Sequence, residues 1–120
     1  MNPTIKWLDE PSETNYPAAQ SYLSLVFSNA AQLVEKLKSA DVTQFKAKDI
    51  FRASGLSLQG VSNSHVKKDL SKIADGKALS PILLVRREGE NVIIADGYHR
   101  LCAVYSVDED AAIPCKIVAI

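Results

Sequence analysis

The order of apolar segments predicts an α+β domain: a compact unit on a small mixed sheet with flanking helices, preceded by an extra long helix. Three observations carry that expectation. Two short apolar runs, 82–85 and 92–95, are separated by a turn at 87–91 containing Gly89, the pattern of a hairpin. A further strand-length apolar run lies at 113–120. The segments between and before these runs place apolar residues at three- and four-residue intervals, as amphipathic helices do.

Composition agrees with a folded domain. The 120 residues are 47% hydrophobic and 23% charged, too apolar for a disordered segment and sufficient for one core. Two regions are expected within it: an N-terminal arm and long helix over 1–40, and a compact unit over 41–120. Fourteen Lys and Arg balance fourteen Asp and Glu for a net charge of zero. Coating duplex DNA takes many phosphate contacts, so direct DNA binding is not expected.

In chain order, residues 1–16 read as an irregular arm whose Ile5, Trp7 and Leu8 dock on the body. Pro17 suits a first helical turn, where its missing N–H is no loss. From it a single helix is expected to run over 17–39, with Tyr22, Val26, Ala30, Leu33 and Leu37 on a stripe that Leu23, Phe27 and Val34 widen. A stripe that broad suits burial against the body or a second copy in a homodimer. A short strand at 42–47 and a brief helix at 49–54, stopped by Gly55, come next. The polar stretch 54–64 is a loop, and a helix capped by Ser62, Asn63 or Ser64 runs from it to Gly76. Val66, Leu70 and Ile73 form its apolar face, with Lys67, Lys68 and Lys72 expected in solvent. The strands at 82–85 and 92–95 are apolar at nearly every position, which predicts cover on both sheet faces. A helix opens at Tyr98, an acidic turn follows at 108–110, and the strand at 113–120 is expected to point Lys116 outward.

Cys102 and Cys115 fall in a helix and a strand without a C-x-x-C spacing, and read as two buried thiols in a reducing compartment. His65 and His99 are the only histidines and belong to no ligand-spaced cluster, so neither zinc nor haem is expected. No apolar stretch approaches the ~18 residues of a membrane span. Residues 1–10 carry Lys6, Asp9 and Glu10 where a signal peptide would be apolar. A soluble cytoplasmic protein without a membrane partner is the expectation.

One segment carries chemistry: an apolar strand that runs through Asp96-Gly97-Tyr98-His99-Arg100 into a helix. The first turn of a helix is electropositive, because its N–H groups lack acceptors, and a cation there is disfavoured by ~0.3–1 kcal/mol. Two readings offset that cost. An anion such as phosphate sits between the backbone N–H groups, His99 and Arg100, with Gly97 permitting close approach. Alternatively, Asp96 caps the helix and pairs with Arg100, leaving His99 as a surface imidazole.

From about Asp41 to Ile120 the chain resembles the ParB/sulfiredoxin-like superfamily. The matching features are KAKDIFR, VKKDLSKIADGKALS, SPILLVRREGENVIIADG, YHRLCAVYSVDED and IPCKIV, in that order. The resemblance implies that the turn binds the phosphates of a nucleotide, with Gly97 as the close-approach glycine, Tyr98 within the turn, and His99 and Arg100 as phosphate ligands. Asp96 is similar to the acidic position of the free serine kinase branch, where it would orient a hydroxyl or Mg²⁺. The cofactors implied are ATP, ADP or another nucleotide, with Mg²⁺ near Asp96.

The departures narrow the activity. Sulfiredoxins carry a nucleophilic Cys where this chain has Tyr98, and Cys102 does not replace it, so sulfinic acid reduction is not expected. The loop 54–65 has no carboxylate to match the upstream base of the serine kinase branch, leaving Asp49 and His65 as candidate bases. Chromosome-partitioning members add a helix-turn-helix after this domain, which residues 1–120 do not show. The expected function is therefore a nucleotide- or phosphate-binding domain, in its active form a small phosphotransferase or NTPase acting on a phosphate-bearing small molecule. Its rival is a non-catalytic interaction or dimerisation module using helix 17–39. A nuclease-like role is weaker, for want of clustered carboxylates to hold two metals.

Overall fold

Alternation along the central strands explains why they read as uninterrupted apolar runs: successive side chains enter two different cores. The computed structural model describes residues 4–60 and 62–120; residues 1–3 of the expected arm and residue 61 of the expected loop lie outside the described residues. Its elements are α1 (Asn15–Leu23), α2 (Ala30–Ser39), β1 (Thr43–Lys46), α3 (Ala47–Ser54), α4 (Ser64–Ala74), β2 (Ile82–Arg86), β3 (Ile93–Asp96), α5 (Tyr98–Val107) and β4 (Ala112–Ala119). The four strands form one mixed sheet in the order β1-β4-β2-β3. β2 runs parallel to β4, with Leu84 opposite Ile117, while β1–β4 and β2–β3 are antiparallel. Ile82, Leu84 and Ile94 enter the core shared with α3, α4 and α5. Leu83, Val85, Ile93 and Ala95 enter the core shared with α1 and α2. The mixed α/β layout and the two-sided cover both follow the sequence.

The long N-terminal helix does not form. The chain breaks between Leu23 and Ala30, so 17–39 is two helices rather than one. The break falls at Ser24, Ser28 and Asn29, side chains that compete for backbone hydrogen bonds, and Ser24 Oγ donates to the Ser21 carbonyl at 2.8 Å. A straight helix over 15–39 would extend ~37 Å, beyond the reach of a sheet whose longest strand has eight residues. Broken in two, the segment buries Leu23 from α1 and Leu33 and Leu37 from α2 in one core. Tyr22, Leu25 and Val26 at the break stay 48%, 86% and 41% exposed.

Lys116 is the second correction. It does not point outward but is 1% exposed, in the middle of β4. Its ammonium donates to the Lys38 carbonyl at the end of α2 and to Glu10 of the arm, each at 2.9 Å. Burial alone would lower its pKa, yet Glu10 and Tyr16 raise it, so the lysine is held charged. The arm docks as expected at Ile5 and Trp7, which pack on the core, and Trp7 bridges Leu79. The Leu8 side chain stays 42% exposed while its N–H bonds to the Leu79 carbonyl. No helix is long and apolar enough to cross a membrane among the described residues.

Candidate functional site

β3 ends at Asp96 and the chain turns at Gly97, whose φ of +111° favours glycine. The turn is tight as well as unusual. A Cβ at Gly97 would sit 2.8 Å from Ile82 Cγ1 and 2.9 Å from Arg100 Nη2. α5 begins at the next residue with no side-chain cap. Leu101, Cys102, Ala103 and Val104 are all buried, which fixes the helix against the sheet and leaves Tyr98, His99 and Arg100 half-buried at its open end.

α4 packs across this end. Asn63 Oδ1 caps it, accepting from the N–H groups of His65 (2.9 Å) and Val66 (3.2 Å). Val66 and Ile73 face the core, and Asp69 shares their stripe at 8% exposure. His65, Lys68 and Lys72 lie one helical turn apart on the adjoining face. Together with Asp69 they enclose a cavity of about 210 Å³, completed by residues 96–100. Five basic side chains converge there: His65, Lys68 and Lys72 from α4, and His99 and Arg100 from α5. Neither Lys68 nor Lys72 forms an ion pair among the described residues.

Arg100 and Asp96 are joined. The guanidinium donates through Nη2 to Asp96 Oδ2 at 2.8 Å and to the Pro81 carbonyl at 3.4 Å. Its Nε is buried without a partner. Of the two readings of this turn, the ion pair is present and the Asp96 cap is absent. His99 is no free surface imidazole. Its ring lies 4.7 Å from that of His65, and burial, followed by the neighbouring His65, holds its pKa below the ordinary value. The Tyr98 hydroxyl donates to the Ser57 carbonyl and so ties the 55–60 loop to α5. Burial and the nearby Cys102 thiol push its pKa up. Gln59 N–H adds a second tie, to Cys102 Sγ at 3.5 Å.

The structure thus gathers Asp96, Gly97, Tyr98, His99, Arg100 and His65 around one hollow. Asp49 stands apart: it lies near Arg52 at 3.9 Å and lines a different cavity with Phe45 and Arg86. Lys68, Asp69 and Lys72 line the hollow as well: Lys68 is exposed, as its place outside the apolar stripe predicts, Lys72 is half-buried and Asp69 is buried. Their spacing from His65 (three, four and seven residues) is the signal that one helix face carries all four.

On its other side the turn borders an open, more apolar groove of about 630 Å³, with Ala18 and Tyr22 of α1 and Leu56 of the loop along it. Among the described residues no three His, Cys, Asp or Glu gather as metal ligands, and Asp96 is committed to Arg100. Compared with known proteins, the chain matches no protein-family model, no curated protein and no solved structure.

Proposed function

We propose that this chain is a nucleotide- or phosphate-binding domain of the ParB/sulfiredoxin-like type, with the anion seated at the first turn of α5. The observation that carries the reading is that Lys68 and Lys72, without an ion pair among the described residues, face with His65 and His99 a cavity that holds two carboxylates, one of them already paired with Arg100. Unpaired cations facing a hollow at a helix N-terminus favour a phosphate, through both charge and free N–H donors. The groove across the turn suits the flatter, less polar part of a nucleotide. Phosphoryl transfer is the reaction this arrangement supports best. The cations would neutralise the donor phosphates, and Asp69, without a hydrogen bond or ion pair among the described residues, would take the proton of an attacking hydroxyl as the nucleoside diphosphate leaves.

Thermal unfolding against ATP, ADP, CTP and inorganic phosphate, with and without Mg²⁺, tests the site. A ligand at 100 times its Kd adds ~2.7 kcal/mol, a rise of several degrees. Lys68→Gln with Lys72→Gln removes that rise and leaves the unliganded Tm nearly unchanged. No rise with any anion, or a rise that survives the double variant, overturns the reading.

A second reading has one observation in its favour. Tyr22, Leu25 and Val26 are exposed apolar residues at the break in the N-terminal helices, and Tyr22 shares a groove with the exposed Leu56, as an interaction module or homodimer would require. Sedimentation across a hundredfold range of concentration tests self-association, and a constant monomer mass removes the homodimer.

A further inference from the structure

A second cavity lies away from the cationic hollow, on the α3 side of the sheet. The alternation of β2 sends Leu84 and then Arg86 to the same face. α3 covers that face incompletely at the end of the strand. The gap measures about 330 Å³, floored by Phe45, Leu84 and Ile117 and walled by Ile50, Ala53 and Val92. That volume falls in the range of small-molecule sites, ~300–1,000 Å³.

Charge at the mouth is specific. Arg87, Asp49, Glu90 and Arg86 all border it. Arg87 is occupied: its Nε donates to the Asn91 carbonyl at 2.9 Å and its Nη1 lies 3.7 Å from Glu90. Asp49 lies 3.9 Å from Arg52. The Arg86 guanidinium has neither a hydrogen bond nor an ion pair among the described residues.

We infer that this cavity binds a small monocarboxylate with an apolar body, an aryl or branched-chain carboxylic acid. The body fills the space over Phe45, Leu84 and Ile117, and the carboxylate accepts two parallel hydrogen bonds from Arg86. A phosphate dianion does not suit the mouth, because Asp49 and Glu90 repel a second negative charge. The inference is independent of the nucleotide site, with which this cavity shares no residue.

Titration of the full chain with 3-phenylpropanoate and 4-methylpentanoate, followed by amide NMR shifts, tests it against the uncharged 3-phenylpropanamide. The acids saturate with shifts centred on residues 84–92 and 117, and the amide binds about tenfold more weakly or worse, as loss of a charge-assisted hydrogen bond dictates. Arg86→Gln brings the acids down to the affinity of the amide, and Ala53→Trp, which fills the space, removes all binding. Both positions are exposed, so the variants retain the fold. No saturable binding by either acid, equal binding of acid and amide, or a preference that survives Arg86→Gln overturns the inference.

Discussion

The imidazoles of His65 and His99 lie against each other in a tilted pair across the α4–α5 junction, 4.7 Å between centroids and 31° between planes. Two cationic rings at that distance repel, so protonating one opposes protonating the other. An anion bound beside both rings reverses the balance. Inorganic phosphate should therefore raise the pKa of His99 from its lowered value, read by NMR of the imidazole protons. A pKa indifferent to phosphate would leave the imidazole outside the anion site.

The same ring sets an acid limit on stability. The folded pKa of His99 lies below the unfolded value of 6.5, so between the two the unfolded chain binds more protons. This contribution to stability is complete above pH 6.5 and lost as pH falls through the folded value. Urea midpoints for the wild type should fall over that interval, and those of His99→Gln should fall less.

Arg100 and Asp96 are 16% and 17% exposed, so neither is well hydrated when alone. Arg100→Leu should cost about 2–3 kcal/mol by stranding the carboxylate, less than a fully buried pair would lose. Asp96→Asn, which keeps an acceptor, should cost about 1 kcal/mol. A double-mutant cycle in urea measures the coupling directly.

Gly97→Ala should cost about 1–3 kcal/mol, since it combines a disfavoured φ with contacts on Ile82 and Arg100. Gly89→Ala is the control. Its φ of +73° is also positive, but nothing lies within 4 Å of the added methyl, so its loss should be near 1 kcal/mol. Equal losses would mean that the close approach at Gly97 contributes nothing.

Lys116→Ala should destabilise by about 2–4 kcal/mol, through lost packing and an unpaired Lys38 carbonyl. Glu10 is 65% exposed in its side chain, so Glu10→Gln should cost less than about 1 kcal/mol. Urea unfolding separates the two, and a large loss at Glu10 would show that the arm depends on this contact.

Legibility in the sequence followed how locally each feature is determined. The strands expected at 82–85 and 92–95 lie within a residue of those observed, because two-sided burial demands apolar residues along their length. The helix break at 24–29 was hidden because Val26 and Phe27 continue the apolar spacing through it. Lys116 misled for the opposite reason: a charge in a strand reads as solvent-facing unless its partners are known, and Glu10 and Lys38 are remote in sequence. At the candidate site, residues 96–100 stand together because they form a single turn. The share of Lys68, Asp69 and Lys72 was not legible, because it depends on how α4 crosses α5, which the apolar stripe of either helix leaves unspecified.

The position of β4 has a consequence for how the chain acquires its structure. This strand, at 112–119, lies between β1 and β2 and is the partner of both. Until it has left the ribosome, the β2–β3 hairpin and the β1–α3 segment have no shared framework. Assembly therefore waits on contacts spanning 66 to 72 positions, from Lys46 to Ala112 and from Thr43 to Cys115, which sets a slow pace for a domain of this size.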